Sequence, residues 1–340
     1  MNLKIAAIIA LILSAAKSQS EAHLLRSNHP LREVIDQVNS HKGGPYIALV
    51  MAYFAEEIAL QSSGLFISNS NIPWVDLSGR RFNIGSILGV NVIYVMCGQR
   101  RLNAGITTQI LIDVFDIKGI VHYGTSGSSN DSLSFGDVSI PKQVAFTGSW
   151  KWKKFKSEEG ELTELNIGNY NIPQKGKNML GDIEYKTEEM FSEGEGFKQV
   201  FWLHMDPTWF SVASQLQNIK LEQCVNVTFC LPETPTVVYG LKGSTADIFV
   251  DNSAYRKFLF RKFQVATVDE ESAAVVMTAL SSKVPCIVIR GVSDLAGGGE
   301  GWSSTNLSSL AATNSLTVAV KFIELIGRQD LGNKANNYSA

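Results

Sequence analysis

The unbroken apolar run from Tyr46 to Ala52 predicts a strand covered on both faces, because a strand with one wet face would alternate apolar with polar. Asn91 to Cys97 and Gly119 to Tyr123 carry the same pattern. Between them, Asn103 to Phe115 places Ile106, Ile110, Leu111 and Val114 at helical spacing, giving a strand, helix, strand order. Further on, Asp251 to Lys262 and Glu271 to Ser282 predict helices flanking a strand at Phe263 to Val268. Pro285 to Ile289 predicts a last buried strand, and Asn306 to Ile326 a long closing helix. This alternation predicts an α/β fold of three layers in a single domain, with a mixed, largely buried central sheet flanked by helices. Arg80 to Leu88 and Asp137 to Phe146 read as added antiparallel strands. Residues 45–327 form the expected domain and 328–340 a flexible tail. Residues 151–198, rich in Lys, Glu, Gly and Asn, read as a variable insertion.

The amino end changes the picture of where the chain goes. Lys4, the apolar run Ile5 to Leu13 and the small residues Ser14, Ala15 and Ala16 have the form of a secretory signal peptide, assigned to residues 1–20. The run is shorter than the roughly 20 residues a bilayer span needs, and no second stretch reads as a membrane anchor. The expected route is the secretory pathway, ending outside the cell or in a vacuole. Sequons at Asn130, Asn226, Asn306 and Asn337 fit that route, each a weak signal alone. In an oxidising compartment Cys224 and Cys230, six positions apart, are candidates for a bridge. Cys97 and Cys286 lie in apolar runs and read as small buried hydrophobes.

Composition narrows the class. With 340 residues, 45% hydrophobic and 18% charged, the chain has the apolar material for a large core. Thirty basic against 32 acidic residues leave a net charge of −2, so neither nucleic acid nor an anionic membrane is an expected partner. Five scattered histidines with no Cys/His cluster give no metal site.

Ligands of such sheets sit beyond the carboxyl ends of the strands. Those ends supply Tyr53-Phe54-Ala55-Glu56-Glu57, the glycine turn Gly124-Thr125-Ser126-Gly127, Asp269-Glu270-Glu271, and Arg290-Gly291-Val292-Ser293-Asp294. Gly124 to Ser128 narrowly misses a nucleophile elbow, which needs glycine at the last position. His122 reads as a packed strand residue. Gly297 to Gly301 reads as a mobile loop beside Asp294 and not as a dinucleotide fingerprint, and Trp150 to Lys156 as a solvated strand edge. The three acids at 269–271 also sit where any helix start favours carboxylates, function aside.

Val268-Asp269-Glu270-Glu271-Ser272-Ala273-Ala274 followed by Ile289-Arg290-Gly291-Val292-Ser293-Asp294 is similar to the signature of nucleoside phosphorylases and methylthioadenosine/S-adenosylhomocysteine nucleosidases. Gly124 to Gly127 with Phe135-Gly136-Asp137-Val138 resembles that family's glycine turn and following strand. Within the family, the signal segment, Cys224–Cys230 and Gly243 to Val250 resemble the plant bark-storage and wound-inducible branch. The resemblance covers about residues 45–327 and implies the nucleoside phosphorylase-like fold. It implies cleavage of a purine N-glycosidic bond, with Asp294 as the acid that protonates the departing base. Glu271 would accept from the ribose hydroxyls, and Glu56, or Glu57 one position on, would activate water. Gly124, Thr125, Ser126, Gly127 and Ser293 would line the ribose or phosphate, and Ile248 or Phe249 the base. Glu270 departs from the family, whose nucleosidases carry methionine there. Arg100, Arg101 and Arg290 are candidate phosphate partners. No cofactor is implied, though phosphate is a candidate co-substrate, so the choice between phosphate and water stays open. Three readings are compatible with these residues: an enzyme acting on adenosine-like or cytokinin ribosides, a non-catalytic adenine or cytokinin binder, and a storage glycoprotein. A homo-oligomer is compatible with each.

Overall fold

A computed structural model describes residues 25–40, 45–154, 158–160, 163–165, 180–192, 194–297 and 307–337. The signal segment and the sequon at Asn306 lie outside the described residues, as does the glycine loop from Gly298 onward. The strands are β1 Tyr46–Met51, β2 Phe66–Ser68, β3 Trp74–Leu77, β4 Arg80–Ile87, β5 Val90–Met96, β6 Ile117–Ser128, β7 Val138–Ile140 and β8 Gln143–Phe146. They continue with β9 Trp150–Lys154, β10 Glu164–Leu165, β11 Leu180–Tyr185, β12 Glu188–Met190, β13 Lys198–Val200 and β14 Leu203–His204. The last six are β15 Cys224–Asn226, β16 Phe229–Cys230, β17 Val237–Tyr239, β18 Lys242–Thr245, β19 Val265–Asp269 and β20 Cys286–Asp294. Helices are α1 Arg32–Asn39, α2 Phe54–Ser63, α3 Arg101–Val114, α4 Pro207–Ala213, α5 Ser253–Phe263, α6 Ser272–Ser281 and α7 Ser308–Asn337.

Thirteen strands make one mixed sheet in the order β14-β8-β18-β19-β6-β1-β5-β4-β2, with β20 branching from β6, β7 pairing with β20, β17 with β7, and β3 with β4. At its centre, β1 runs parallel to both β5 and β6, and β20 runs parallel to β6. Successive residues of β1 point to opposite faces, which is why all six are buried. Ala48 and Val50 join the cluster formed with α3 and α6, whereas Ile47, Leu49 and Met51 join the one formed with α7 and Leu60 of α2. That is the three-layer α/β arrangement. Outside the main sheet, β9, β10 and β11 form a three-stranded sheet and β12 and β13 a two-stranded one.

Four expectations need correction. Gly124 to Gly127 is no turn: β6 continues without a break to Ser128. Asp137 to Phe146 is two strands, β7 antiparallel to β20 and β8 parallel to β18, interrupted at Pro141, which cannot donate to a ladder. Residues 328–337 continue α7 as helix instead of forming a tail. Finally, Ser308–Gln329 is long and apolar enough, by length and composition, to span a bilayer, with a mean hydropathy of 1.3. The residues of α7 that carry this hydropathy, from Leu316 to Ile326, are packed in the core against β6 and β20. Gly291 makes that packing close, since a Cβ there would meet the Ala311 carbonyl oxygen at 2.2 Å.

Candidate active site

The long strand β6 changes neighbours along its length. It pairs with β1 as far as His122, then with β19 at Gly127 and Ser128. Between those pairings the edge at Gly124 to Ser126 faces a gap, and the site forms there. A cavity of about 380 Å³ is lined by the ends of β1, β6, β19 and β20 together with Gln99, Ile248, Phe249, Val250 and Ser308.

Glu56 enters this gap from the first turn of α2. Its Oε2 accepts from the amides of Ala52 (2.8 Å) and Tyr53 (2.9 Å), which starts the helix. Its Oε1 accepts from the Thr125 amide at 2.7 Å and the Thr125 hydroxyl at 3.1 Å, completing the exposed edge of β6. The register ambiguity resolves here: Glu56 is buried and faces the cavity, while Glu57 points away. Gly124 is required for this approach, because a Cβ would meet Glu56 Oε1 at 2.4 Å and Arg290 Nη1 at 2.5 Å. The Thr125 amide is therefore committed to a carboxylate, not offered to phosphate.

The three acids after β19 divide their labour. Asp269 caps α6, its Oδ1 accepting from the amides of Glu271 (3.0 Å) and Ser272 (2.9 Å) and from the Thr245 hydroxyl (2.7 Å). Burial raises its pKa, but Arg290 and the hydrogen bonds from Ser272 and Thr245 outweigh that and leave it below the usual carboxylate value. With the cap filled, Glu271 is free for the cavity. Its Oε1 accepts from the Arg100 amide at 2.9 Å and its Oε2 from Arg290 at 3.3 Å. Burial pushes its pKa up to about 7 against the pull of Arg290. Glu270 lies at the rim, raised by burial, with Arg100 Nε 3.9 Å from its Oε1.

Asp294 closes the opposite end. Its Oδ1 accepts from the Ala296 amide at 2.8 Å and its Oδ2 from the Ser293 hydroxyl at 2.9 Å. Burial raises its pKa, with those two hydrogen bonds opposing. Beside it, Gly127 admits Asp294 Oδ1 to 2.9 Å of where a Cβ would stand.

The candidate phosphate arginines are not assembled. Arg290 is fully buried beneath the floor, bonded to Ser272, Asp269, Glu271, the Thr125 carbonyl and His122 Nε2. His122 donates from Nδ1 to the Val50 carbonyl, and burial followed by Arg290 pulls its pKa down to about 3, so it is a neutral structural residue. Arg101 binds Asp247, and the Arg100 side chain is 67% exposed outside the cavity. Ile248 and Phe249 line the mouth, with Phe249 68% exposed. Cys224 and Cys230 form a disulfide that closes the β15–β16 hairpin, where Asn226 is exposed; Asn130 is partly buried. Cys97 and Cys286 are buried free thiols. Sequence reasoning did not anticipate Ala52, Gln99, Val250 or Ser308 in the lining; it placed Asp269, Glu270 and Glu271 at a helix start without saying which of them is the cap. The lining residues it missed carry no periodic or motif signal, because they reach the cavity through the tertiary fold.

Comparison with known proteins agrees with the fold. A model of the phosphorylase superfamily matches residues 47–324. Bark storage protein A of Populus deltoides is 42% identical over 282 residues, covering 82% of this chain and 88% of that protein. A 5'-methylthioadenosine/S-adenosylhomocysteine nucleosidase of Listeria welshimeri is 24% identical over 257 residues, 75% of this chain and 91% of the relative. Among solved structures, the nucleosidase of that name from Helicobacter pylori superposes with a TM-score of 0.57 at 16% identity, covering 83% of this chain and 99% of its own. One from Colwellia psychrerythraea, in complex with adenine, gives 0.56 at 19% identity, covering 83% and 96%.

Proposed function

The chain belongs to the phosphorylase superfamily, and we propose that it cleaves the N-glycosidic bond of purine ribosides, adenosine and cytokinin ribosides among them, with water as the nucleophile. The observation that carries the reading is the meeting of Asp294, Glu271 and Glu56 around one cavity, with burial holding the first two above their ordinary pKa. Cleavage puts positive charge on the sugar and negative charge on the base. Protonated Asp294 gives its proton to the base as the carbon–nitrogen bond breaks, so the base leaves neutral. Glu271 accepts from the ribose 2' and 3' hydroxyls and offsets the charge growing on the ring. The Thr125 hydroxyl turns from Glu56 Oε1 to admit a water, which attacks the sugar carbon and passes a proton to Glu56. Water is favoured over phosphate because no basic side chain lines the cavity among the described residues. The apolar mouth at Ile248 and Phe249 suits an N6-linked hydrocarbon tail.

A storage role is the second reading, supported by the 42% identity to a bark storage protein, and it is compatible with catalysis. The proposed route is secretory, to the cell exterior or a vacuole, with glycans at the exposed sequons. The test is release of free base from adenosine and isopentenyladenosine, with and without phosphate. Equal rates in both conditions are expected. Phosphate-dependent release would overturn the water route, and binding of adenine without release from either riboside would leave binding or storage.

A further inference from the structure

Glu270 stands apart from the other acids of the cavity in how its charge is met. Asp269 and Glu271 lie 3.2 and 3.3 Å from Arg290. The oxygens of Glu56 accept from three backbone amides and a hydroxyl, and those of Asp294 from one of each. Glu270 has Arg100 as its cation, 3.9 Å away with a side chain 67% exposed to water, while its own side chain is 14% exposed. A water-screened partner at that distance neutralises little of the field directed inward. The amides at the start of α6, the usual place for a phosphate, are taken by Asp269.

We propose that Glu270 is a specificity-determining residue that excludes phosphate-bearing nucleosides, so that the substrates are ribosides whose sugar carries free hydroxyls. This rests on the reading of the cavity as a purine riboside site. A 5'-phosphate brings about −1.5 to −2 charges and acceptor oxygens only. In a cavity of about 380 Å³ it would sit within roughly a Debye length, about 8 Å, of every acid that lines it. A hydroxyl, in contrast, can donate to those same carboxylates. Arg100 works against Glu270: among the described residues its guanidinium is the only cation placed on that acid, so removing it should strengthen the exclusion.

The experiment compares adenosine with adenosine 5'-monophosphate, reading base release and, by calorimetry, binding. The quantity is the ratio of the two kcat/KM values, in which any loss of activity common to both probes cancels. The unaltered protein should favour adenosine by about 100-fold or more. Glu270→Gln should narrow the ratio about tenfold, and Arg100→Ala, which keeps the amide that holds Glu271, should widen it about two- to fivefold. Opposite signs are not what general damage to the fold would produce. A ratio unchanged within twofold in Glu270→Gln, or a shift of both variants in one direction, overturns the proposal. If neither probe releases base, the cleavage reading fails, and the exclusion is then read from the two dissociation constants. Equal affinity for both probes in the unaltered protein would overturn it on that reading as well.

Discussion

Asp294→Asn is the most informative single change, because the structure isolates the proton from everything else the side chain does. The amide is isosteric. Its oxygen can keep the bond from the Ala296 amide, now 2.8 Å, and its NH2 can donate to Ser293 Oγ, whose hydroxyl already reaches the Ser126 carbonyl at 3.2 Å. No buried polar atom is orphaned, so stability should change by less than about 1 kcal/mol. What is lost is the proton. General acid catalysis contributes about 10²–10⁴ in rate, or about 2.7–5.5 kcal/mol at roughly 1.36 kcal/mol per decade. The upper half of that range is expected, because a base leaving as an anion would enter a cavity whose other acids are Glu56, Asp269, Glu270 and Glu271. The assay is steady-state release of adenine from adenosine, with adenine binding and thermal unfolding measured on the same samples. Turnover lower by about 10³–10⁴ with adenine affinity retained is the expected result. A variant that keeps a tenth or more of the rate while folding normally would show that Asp294 is not the acid.

Glu271, raised to about 7 by burial, must ionise to accept from sugar hydroxyls, so riboside affinity should strengthen as pH rises through 7 and binding should release a proton. Adenine affinity should stay flat, and Glu271→Gln should abolish the pH dependence; calorimetry in buffers of different ionisation enthalpy reads both. A carboxyl raised in the folded state costs stability as pH rises from its ordinary 4.5 through about 7. Relative to wild type, Glu271→Gln should therefore gain about 3 kcal/mol between pH 4 and 8 in denaturant titrations, and an unchanged difference would contradict this. Gly124→Ala pushes a methyl into Glu56 and Arg290; stability should fall by about 1–3 kcal/mol and base release with it, and a variant normal in both would refute the close approach. Protein from native tissue should begin between about Ala16 and His23 and lose mass on deglycosylation, whereas an intact Met1 without glycan would end the secretory reading.

Continuous apolar runs announced β1, β5 and β20, and helical spacing announced α3 and α7, because the period of burial is written in neighbouring residues. Asp294 was singled out by the resemblance of Ile289 to Asp294 to the family's signature and not by periodicity, since the apolar run predicted a strand ending at Ile289, and the ordered motifs pointed to the family before any coordinates. Other features depend on partners far along the chain. Glu56 and not Glu57 faces the cavity because Thr125, 69 positions away, bonds to it. Glu271 and not Asp269 is free because Thr245 and Arg290 settle Asp269 as the cap. The glycines at 124 and 127 looked like a turn because their spacing is that of a turn. They are strand residues, thinned so that Glu56, Arg290 and Asp294 can close on them. Arg290 looked like a phosphate ligand and is a buried counter-ion, a difference that only three-dimensional burial could decide. Sequence by itself determined which elements form and which chemistry they carry to their ends. Tertiary structure decided which of those end groups meet, because hydrogen bonds and ion pairs between strand ends join residues whose separation along the chain leaves no periodic trace.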